Sequence, residues 1–476
     1  MEEQSIFRNI SPLDHRYYLA NEELFTRLKD YISEDASVRY GIEAETALLK
    51  AHIDEFFEGS EDLKHAVEDA AKKITPAMVY REEERTQHNV RALVNVMKSF
   101  VPPEAAPYVH LGATSVDILD TASAARYRDV TLEVVLPLLI ELENLLIETS
   151  YRHRSTPQTG RTHGQHAVPI TLGFALSEYV SRLGKSIGAI NIHAHNLRGK
   201  LAGAVGAYNA AGLLVRDPEE LERRYLGYLG LEPSEHSTQM VEPEYLLRLL
   251  TELNTAFGII ANLADDLRNL QRSEIGEVQE FFSSDQVGSS TMPQKRNPWN
   301  SEHVKSLWKV YSPRVMTFYM DQISEHQRDL TNSASSRFIA EYFAGFCAAA
   351  ERMRRIIASL HVHEEALREN LYRSGEFLLA EAAYVLLSTS GLSDAHETVR
   401  RATLRCEKEG ITLSEALKAE PEIWKALEEG LARTLGTDAD DFFSKPENYR
   451  GRAVEKTEEI TNRYRKQMEK LTEALS

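Results

Sequence analysis

The chain has 476 residues, 42% hydrophobic and 27% charged, with a formal net charge of -18. Such a length and balance suit a globular protein of two or three domains with a large core. The acidic surplus argues against general nucleic-acid or anionic-membrane binding, both of which need basic surface, so an anionic ligand would require a local island of Arg and Lys.

The opening residues carry no apolar run and no basic leader, so no signal peptide is expected. No stretch approaches the roughly 20 apolar residues needed to span a bilayer. The two cysteines, Cys347 and Cys406, have no near neighbours at zinc-ligand spacing. A disulfide framework is therefore disfavoured and a reducing cytoplasm fits best.

In chain order, helical periodicity dominates. Val101-Pro102-Pro103 through Pro107 breaks the pattern and ends a first helical region, read as residues 1–107. Tyr127 to Arg152 reads as a long helix in which Pro137 forces a kink or a restart. Leu172 to Lys200 reads as a second. In a third, Leu246, Leu250, Leu253, Phe257, Ile260, Ala264 and Leu267 alternate steps of four and three, while Leu249, Ile259 and Leu263 lie off that seam. Such a helix needs cover on more than one side, in the middle of a bundle or at a subunit interface. Around Leu360 to Glu364 shorter, charge-rich helices take over, punctuated by Gly410, Gly430 and Gly436. The expected division is thus 1–107, 108–360 and 361–476. No convincing run of alternating β-branched residues predicts a strand.

Five segments concentrate polar groups that helix interiors seldom use: Glu84–Asn89, His110–Asp117, Gly160–His166, Gly288–Pro298, and Glu325–Ser333 followed by Arg337. Each has a plain structural alternative. His88 reads equally as a solvated helix residue, and Thr114 and Ser115 as the cap of a helix entered near Asp117. Arg328 and Asp329 read equally as a surface ion pair. His163 and His166 as paired metal ligands are disfavoured, because Gly160, Gly164 and Pro169 oppose a helix there and no acidic third ligand is near. The loop Gly288-Ser289-Ser290-Thr291-Met292-Pro293-Gln294-Lys295-Arg296-Asn297-Pro298 sets two serine hydroxyls beside a lysine, an arginine and an amide. It lacks the second glycine and the Lys-Ser/Thr pair of a phosphate-gripping P-loop. It also lacks the Gly-x-Ser-x-Gly elbow of a serine nucleophile, and the chain has no Rossmann glycine fingerprint.

Together these segments resemble the fumarase/aspartase superfamily of lyases. The Gly288–Pro298 stretch looks like its signature loop, and Gly160–His163, His110–Ser115 and Arg328–Arg337 are similar to its other site segments, in the same order. Within the superfamily the chain most resembles the adenylosuccinate lyase family, through Ser11-Pro12-Leu13-Asp14-His15-Arg16-Tyr17, Ser237-Thr238-Gln239 and the Arg-Asp-Leu-Thr-Asn-Ser run from Arg328. The similarity extends from about Ser11 to Asn448.

The resemblance implies an all-α, three-domain subunit with a central bundle of long helices. It also implies a homotetramer with active sites shared between subunits. The implied reaction is β-elimination of a C–N bond: adenylosuccinate gives AMP and fumarate, and SAICAR gives AICAR and fumarate. Another fumarate-releasing lyase, of argininosuccinate, aspartate or malate type, is the alternative. By motif match Ser289 is the general base and His163 the general acid, with Lys295 and Asn297 on the substrate carboxylate. His88 and His110 are auxiliary site histidines. Thr114, Ser115, Thr162, Ser290 and Met292 would line the substrate, Gln239 would orient it, and Glu302 would support the helix after the loop. Arg16 and Tyr17 match nucleotide-phosphate contacts, with Arg328, Ser333 and Arg337 nearby. The elimination is redox-neutral, so no metal or organic cofactor is implied. Many relatives have His-Asp where this chain has His88-Asn89, which removes a charge next to the histidine.

Overall fold

The computed structural model describes residues 5–58, 60–282 and 291–475. Its centre is a bundle of long helices: Ser115–Val130, Leu136–Arg152, Leu172–His195, Glu244–Leu270, Trp299–Tyr311 and Ile339–Ala358. The largest hydrophobic cluster runs through these helices and includes Leu13, Phe25 and Leu28 from the N-terminal segment. A second cluster joins Ile42, Leu49 and Val67 to Leu93 and Met97. A third gathers Leu379, Leu387, Trp424 and Phe442.

The helix Glu244–Leu270 shows why periodicity is so readable here. Both the seam residues from Leu250 to Leu267 and the off-seam Leu249, Ile259 and Leu263 are buried. Helices 172–195, 299–311 and 339–358 pack around it within the same chain, so intrachain neighbours supply the two-sided cover.

Pro137 produces the expected break, with an identifiable mechanism. The helix Ser115–Val130 passes into one π-helical stretch, Thr131–Val135, and α-helix resumes at Leu136 with Pro137 in its first turn. Proline has no N–H for the carbonyl four residues back. That carbonyl, on Glu133, takes a hydrogen bond from the Arg27 guanidinium instead. The next long helix ends at His195, short of Lys200, which lies in the extended segment beyond it.

Two observations correct the sequence-based expectation. Antiparallel strands Pro157–Thr162 and Gln165–Thr171 form a hairpin where no strand was expected. Its residues are mostly polar and only partly buried, so the alternation that marks a strand is weak. The tail is also not uniformly short-helical. Helix Ala453–Leu475 returns to the bundle, packs on helices 136–152 and 172–195, and buries Tyr464 and Met468 in the central cluster. Among the described residues no helix is long and apolar enough to cross a membrane.

Candidate active site

His163 sits at the tip of the hairpin. Thr162 pairs with Gln165, leaving His163 and Gly164 as a two-residue loop with φ of 53° and 73°. Positive φ at both positions is the type I′ geometry that follows the twist of a two-stranded ribbon. Glycine accepts it freely, whereas a histidine held there is strained, a condition that recurs at functional sites. Lower down, the register shifts between Thr159 and Arg161. A Cβ on the intervening Gly160 would lie 2.7 Å from the Val168 carbonyl oxygen, so the bulge needs a glycine.

The hairpin is fastened through one buried carboxylate. Glu277 accepts hydrogen bonds from Arg161 Nη2 at 2.6 Å, Gln158 Nε2 at 2.8 Å and Asn370 Nδ2 at 2.9 Å. His166 on the second strand bonds Ser374 through Nδ1, and burial together with the Arg161 charge holds its pKa below the usual imidazole value. Among the described residues, His163 itself has no side-chain hydrogen bond or ion pair, and it is exposed.

His110 is the second organised histidine. Its backbone is left-handed, with φ 62°, and its Nδ1 lies 2.6 Å from Oε1 of the fully buried Glu45. The carboxylate accepts a hydrogen bond from Nδ1–H and so leaves Nε2 to act outward. Nearby, burial pushes His52 down to about 4 as its Nε2 bonds the Leu111 carbonyl. His88 is exposed and caps helix Asn89–Phe100, its Nδ1 accepting from Arg91 N at 3.2 Å, while Asn89 bonds the amide of Val90.

Thr114 caps helix Ser115–Val130, its N–H donating to Asp117 Oδ2 at 2.8 Å. The capping alternative for this segment is therefore real, and it also fixes where Ser115 begins the helix. The other Asp117 oxygen takes Lys200 Nζ and the amides of Ala202 and Gly203, both at 3.2 Å. Asp117 and Lys200 are both fully buried. A buried pair this well hydrogen-bonded avoids the usual desolvation deficit.

The loops that carry Gln239 and Arg328 meet at Gln327. The Gln239 N–H donates to the Gln327 carbonyl at 3.3 Å. Arg328, at φ 83°, points Nη2 to the Asp321 carbonyl at 3.0 Å and Nη1 to that of Gln322 at 3.4 Å. Asp329 instead closes its own turn, accepting from Thr331 and from the Glu325 amide, so the two residues are not a surface ion pair. Ser333 and Arg337 are exposed beyond them, Arg337 on a groove of about 780 Å³ shared with Ser11 and Asp14.

Tyr17 reaches the helix that begins at Trp299: its hydroxyl hydrogen-bonds His303 Nε2 at 2.8 Å. Burial, with the Arg352 charge, lowers the His303 pKa, and burial raises that of Tyr17. Arg16 is exposed beside it. The helix start is held by buried Glu280, which accepts from Ser301 N at 2.7 Å and Asn300 N at 3.2 Å, with Glu302 exposed one residue on. An anionic carboxylate suits the positive end of a helix. Met292 and Lys295 are exposed, Asn297 is half-buried, and the Lys295 amide bonds the Met292 carbonyl at 3.0 Å. Ser289 and Ser290 lie outside the described residues.

One chain thus organises four groups of site residues: His163 with Thr162, His110 with Thr114 and Ser115, Gln239 with Arg328, and Tyr17 with the base of the signature loop. Among the described residues no hydrogen bond, ion pair or ring contact links the first group to the others. Glu277, Glu45 and Glu280, which hold these groups, were not singled out from sequence. The available signal was Glu45 itself, a charge on the buried stripe between Ala44, Ala47 and Leu48.

The chain matches the family model described as Lyase over residues 20–310, and that described as Adenylosuccinate lyase C-terminal over residues 324–435. It is 34% identical over 466 residues to the adenylosuccinate lyase of Pyrococcus horikoshii, covering 97% of this chain and 99% of that protein. It is 30% identical over 455 residues to the adenylosuccinate lyase of Archaeoglobus fulgidus, covering 95% and 98%. Among solved structures, a fumarate lyase from Mesorhizobium sp. BNC1 matches with a TM-score of 0.78 at 23% identity, covering 92% of this chain and 97% of that one. The 3-carboxy-cis,cis-muconate lactonizing enzyme of Pseudomonas putida matches with a TM-score of 0.77 at 24% identity, covering 93% and 97%. At these identities the structural likeness concerns the fold alone.

Proposed function

The chain belongs to the adenylosuccinate lyase family, and we propose that Ser289 and His163 are the base and acid of its C–N bond cleavage. Adenylosuccinate is split into AMP and fumarate, and SAICAR into AICAR and fumarate. The carrying observation is the nearly full-length likeness to adenylosuccinate lyases, joined to a histidine held under backbone strain at a firmly fastened hairpin tip.

The chemistry has two halves. A carbon next to a carboxylate must lose a proton, and the departing nitrogen must gain one. Ser289 takes the first proton; its alkoxide needs stabilisation, for which Lys295 and exclusion of water are the means. Lys295 and Asn297 hold the carboxylate on which charge builds, and groups so placed are each worth about 10²–10³ in rate. His163 delivers the second proton, a role suited to imidazole. Thr114 and Ser115 hold the succinyl part, Gln239 orients the substrate, and Arg16 and Tyr17 meet the nucleotide phosphate, with Arg328, Ser333 and Arg337 nearby.

Three further readings belong to this proposal. The subunit divides into residues 1–107, 108–360 and 361–476; the separate clusters around Leu49 and Leu387 support this, while Leu13, Phe25, Leu28, Leu48 and helix Ala453–Leu475 pack on the bundle. It works as a homotetramer with shared sites. An exposed His163 that shares no contact with the other described site groups supports this, as do the exposed Met320, Ile323 and Leu330 at 65%, 81% and 71%. It acts in the cytoplasm, in keeping with two buried free cysteines.

The test is fumarate release from adenylosuccinate by purified protein. Ser289→Ala and His163→Ala are each expected to lower kcat at least about 10²-fold with unchanged helicity. A fully active Ser289→Ala variant would remove the assigned base. No turnover of adenylosuccinate at high enzyme concentration would remove the function.

A further inference from the structure

Asp120 lies one turn beyond Asp117 on helix Ser115–Val130, and its Oδ2 accepts the Val241 N–H at 2.9 Å. Val241 closes the short bridge with Ser237 that carries Gln239 at its turn. Asp120 also lines an inner cavity of about 150 Å³ together with Arg328, Asp321, Arg198 and Glu242. Within that region the Arg328 Nε is buried with no hydrogen-bond partner among the described residues. One carboxylate therefore joins two segments assigned to substrate, the helix begun by Thr114 and Ser115 and the Gln239 turn, and faces a third, the Arg328 loop, across the cavity.

We propose that Asp120 is a positioning residue for the lyase site, and that its carboxylate must be ionised to hold the Gln239 turn against the Thr114–Ser115 helix and so to let substrate be gripped. The physical reason is the strength of a charged acceptor. A carboxylate oxygen binds an amide N–H about twice as strongly as a neutral oxygen does, and a protonated carboxyl surrenders most of that difference. Its negative charge also offsets Arg328 across the cavity. The charged groups facing it are Lys200 and Arg198 from the segment after helix 172–195, Glu242 beside Val241, Arg328 and Asp321 from the loop opposite, and Asp117 on its own helix. Burial outweighs the cations and pushes the Asp120 carboxyl up to about 6. The group therefore changes state within the range in which an enzyme is assayed.

The inference rests on the adenylosuccinate lyase reading, and its test separates the two. KM and kcat for adenylosuccinate are measured from pH 5.5 to 7.5 for the native protein, Asp120→Asn and Asp120→Ala. Titrations of substrate phosphate and site histidines are common to all three and cancel in ratios. With a carboxyl near 6, the competent fraction at pH 5.5 is about a quarter, so native KM gains about fourfold from this group alone. Asn keeps an acceptor but cannot titrate, so the ratio of its KM to the native value is expected to fall about fourfold from pH 7.5 to 5.5. Asp120→Ala is expected to raise KM roughly tenfold at pH 7.5, with kcat changed less. A constant ratio for Asp120→Asn, or an unchanged KM for Asp120→Ala, overturns the proposal.

Hydrogen exchange of the peptide containing Val241 in the native protein needs no variant to fold. Its protection, corrected for intrinsic rates, is expected to drop between pH 7.5 and 5.5, and equal protection overturns the proposal. Failure of the native protein to turn over adenylosuccinate would count against the function, while the exchange result would still decide the role of Asp120.

Discussion

Glu277→Gln tests how His163, the proposed acid, is held in place. The native carboxylate is fully buried and faces three donors, on Gln158, Arg161 and Asn370, of which Gln158 and Asn370 are 3% and 2% exposed. Glutamine has nearly the same volume but only one acceptor oxygen, and it places an NH₂ group where a carboxylate oxygen now faces donors. Arg161, whose side chain is 16% exposed, loses its counter-charge. Removing one partner of a buried pair costs about 3–5 kcal/mol, and the partial exposure of Arg161 places this case near 3 kcal/mol. At about 1.4 kcal/mol per tenfold, that weakens attachment of the hairpin roughly 10²-fold. If each turnover needs the hairpin docked, kcat falls by about 10–10²-fold while KM changes little. The assay combines fumarate-release kinetics with urea denaturation. The double variant Arg161→Met, Glu277→Met leaves no unpaired charge and is expected to regain much of the lost stability without regaining kcat. A Glu277→Gln enzyme with native kcat and an unchanged denaturation midpoint would refute the reasoning.

Gly164→Ala forces a Cβ onto φ 73° in otherwise open space, so backbone strain of about 1 kcal/mol acts alone. Its thermal midpoint and kcat should both fall, and Gly164→Asn should be milder because Asn tolerates that region. Tyr17→Phe removes the hydroxyl bonded to His303; a loss of about 1 kcal/mol raises KM roughly fivefold, and an unchanged KM would disconnect Tyr17 from the nucleotide. Glu143 is fully buried in the bundle with neither oxygen hydrogen-bonded among the described residues, and burial raises its pKa well above the usual value. The folded state keeps this proton to higher pH than the unfolded chain does. Stability is therefore whole below the unfolded value of about 4.3 and falls by up to about 1.4 kcal/mol per pH unit above it, until the folded group ionises. Glu143→Met should accordingly raise the denaturation midpoint more at pH 8 than at pH 5; equal gains would contradict the assignment.

Long helices were legible because burial on a bundle imposes a period that residues 246–267 display almost without exception. The break at Pro137 was legible for a local reason, the missing N–H. The hairpin was not, since its strands are polar and its stability comes from Glu277, more than a hundred residues away in sequence. The return of helix Ala453–Leu475 was equally hidden, because a charged amphipathic helix does not name the surface it covers.

At the site, the chain by itself determined which side chains are present and in what order, and the motifs were sufficient to assign the lyase family. Only the tertiary structure decided what restrains them: the left-handed backbone at His163 and His110, the buried glutamates beneath both, and the Asp120 contact that ties the Gln239 turn to the Thr114–Ser115 helix. The physical reason is the range of the forces involved. Periodicity, capping and proline effects act within a few residues and are written locally, whereas a buried carboxylate collects donors from segments that meet only once the chain has folded.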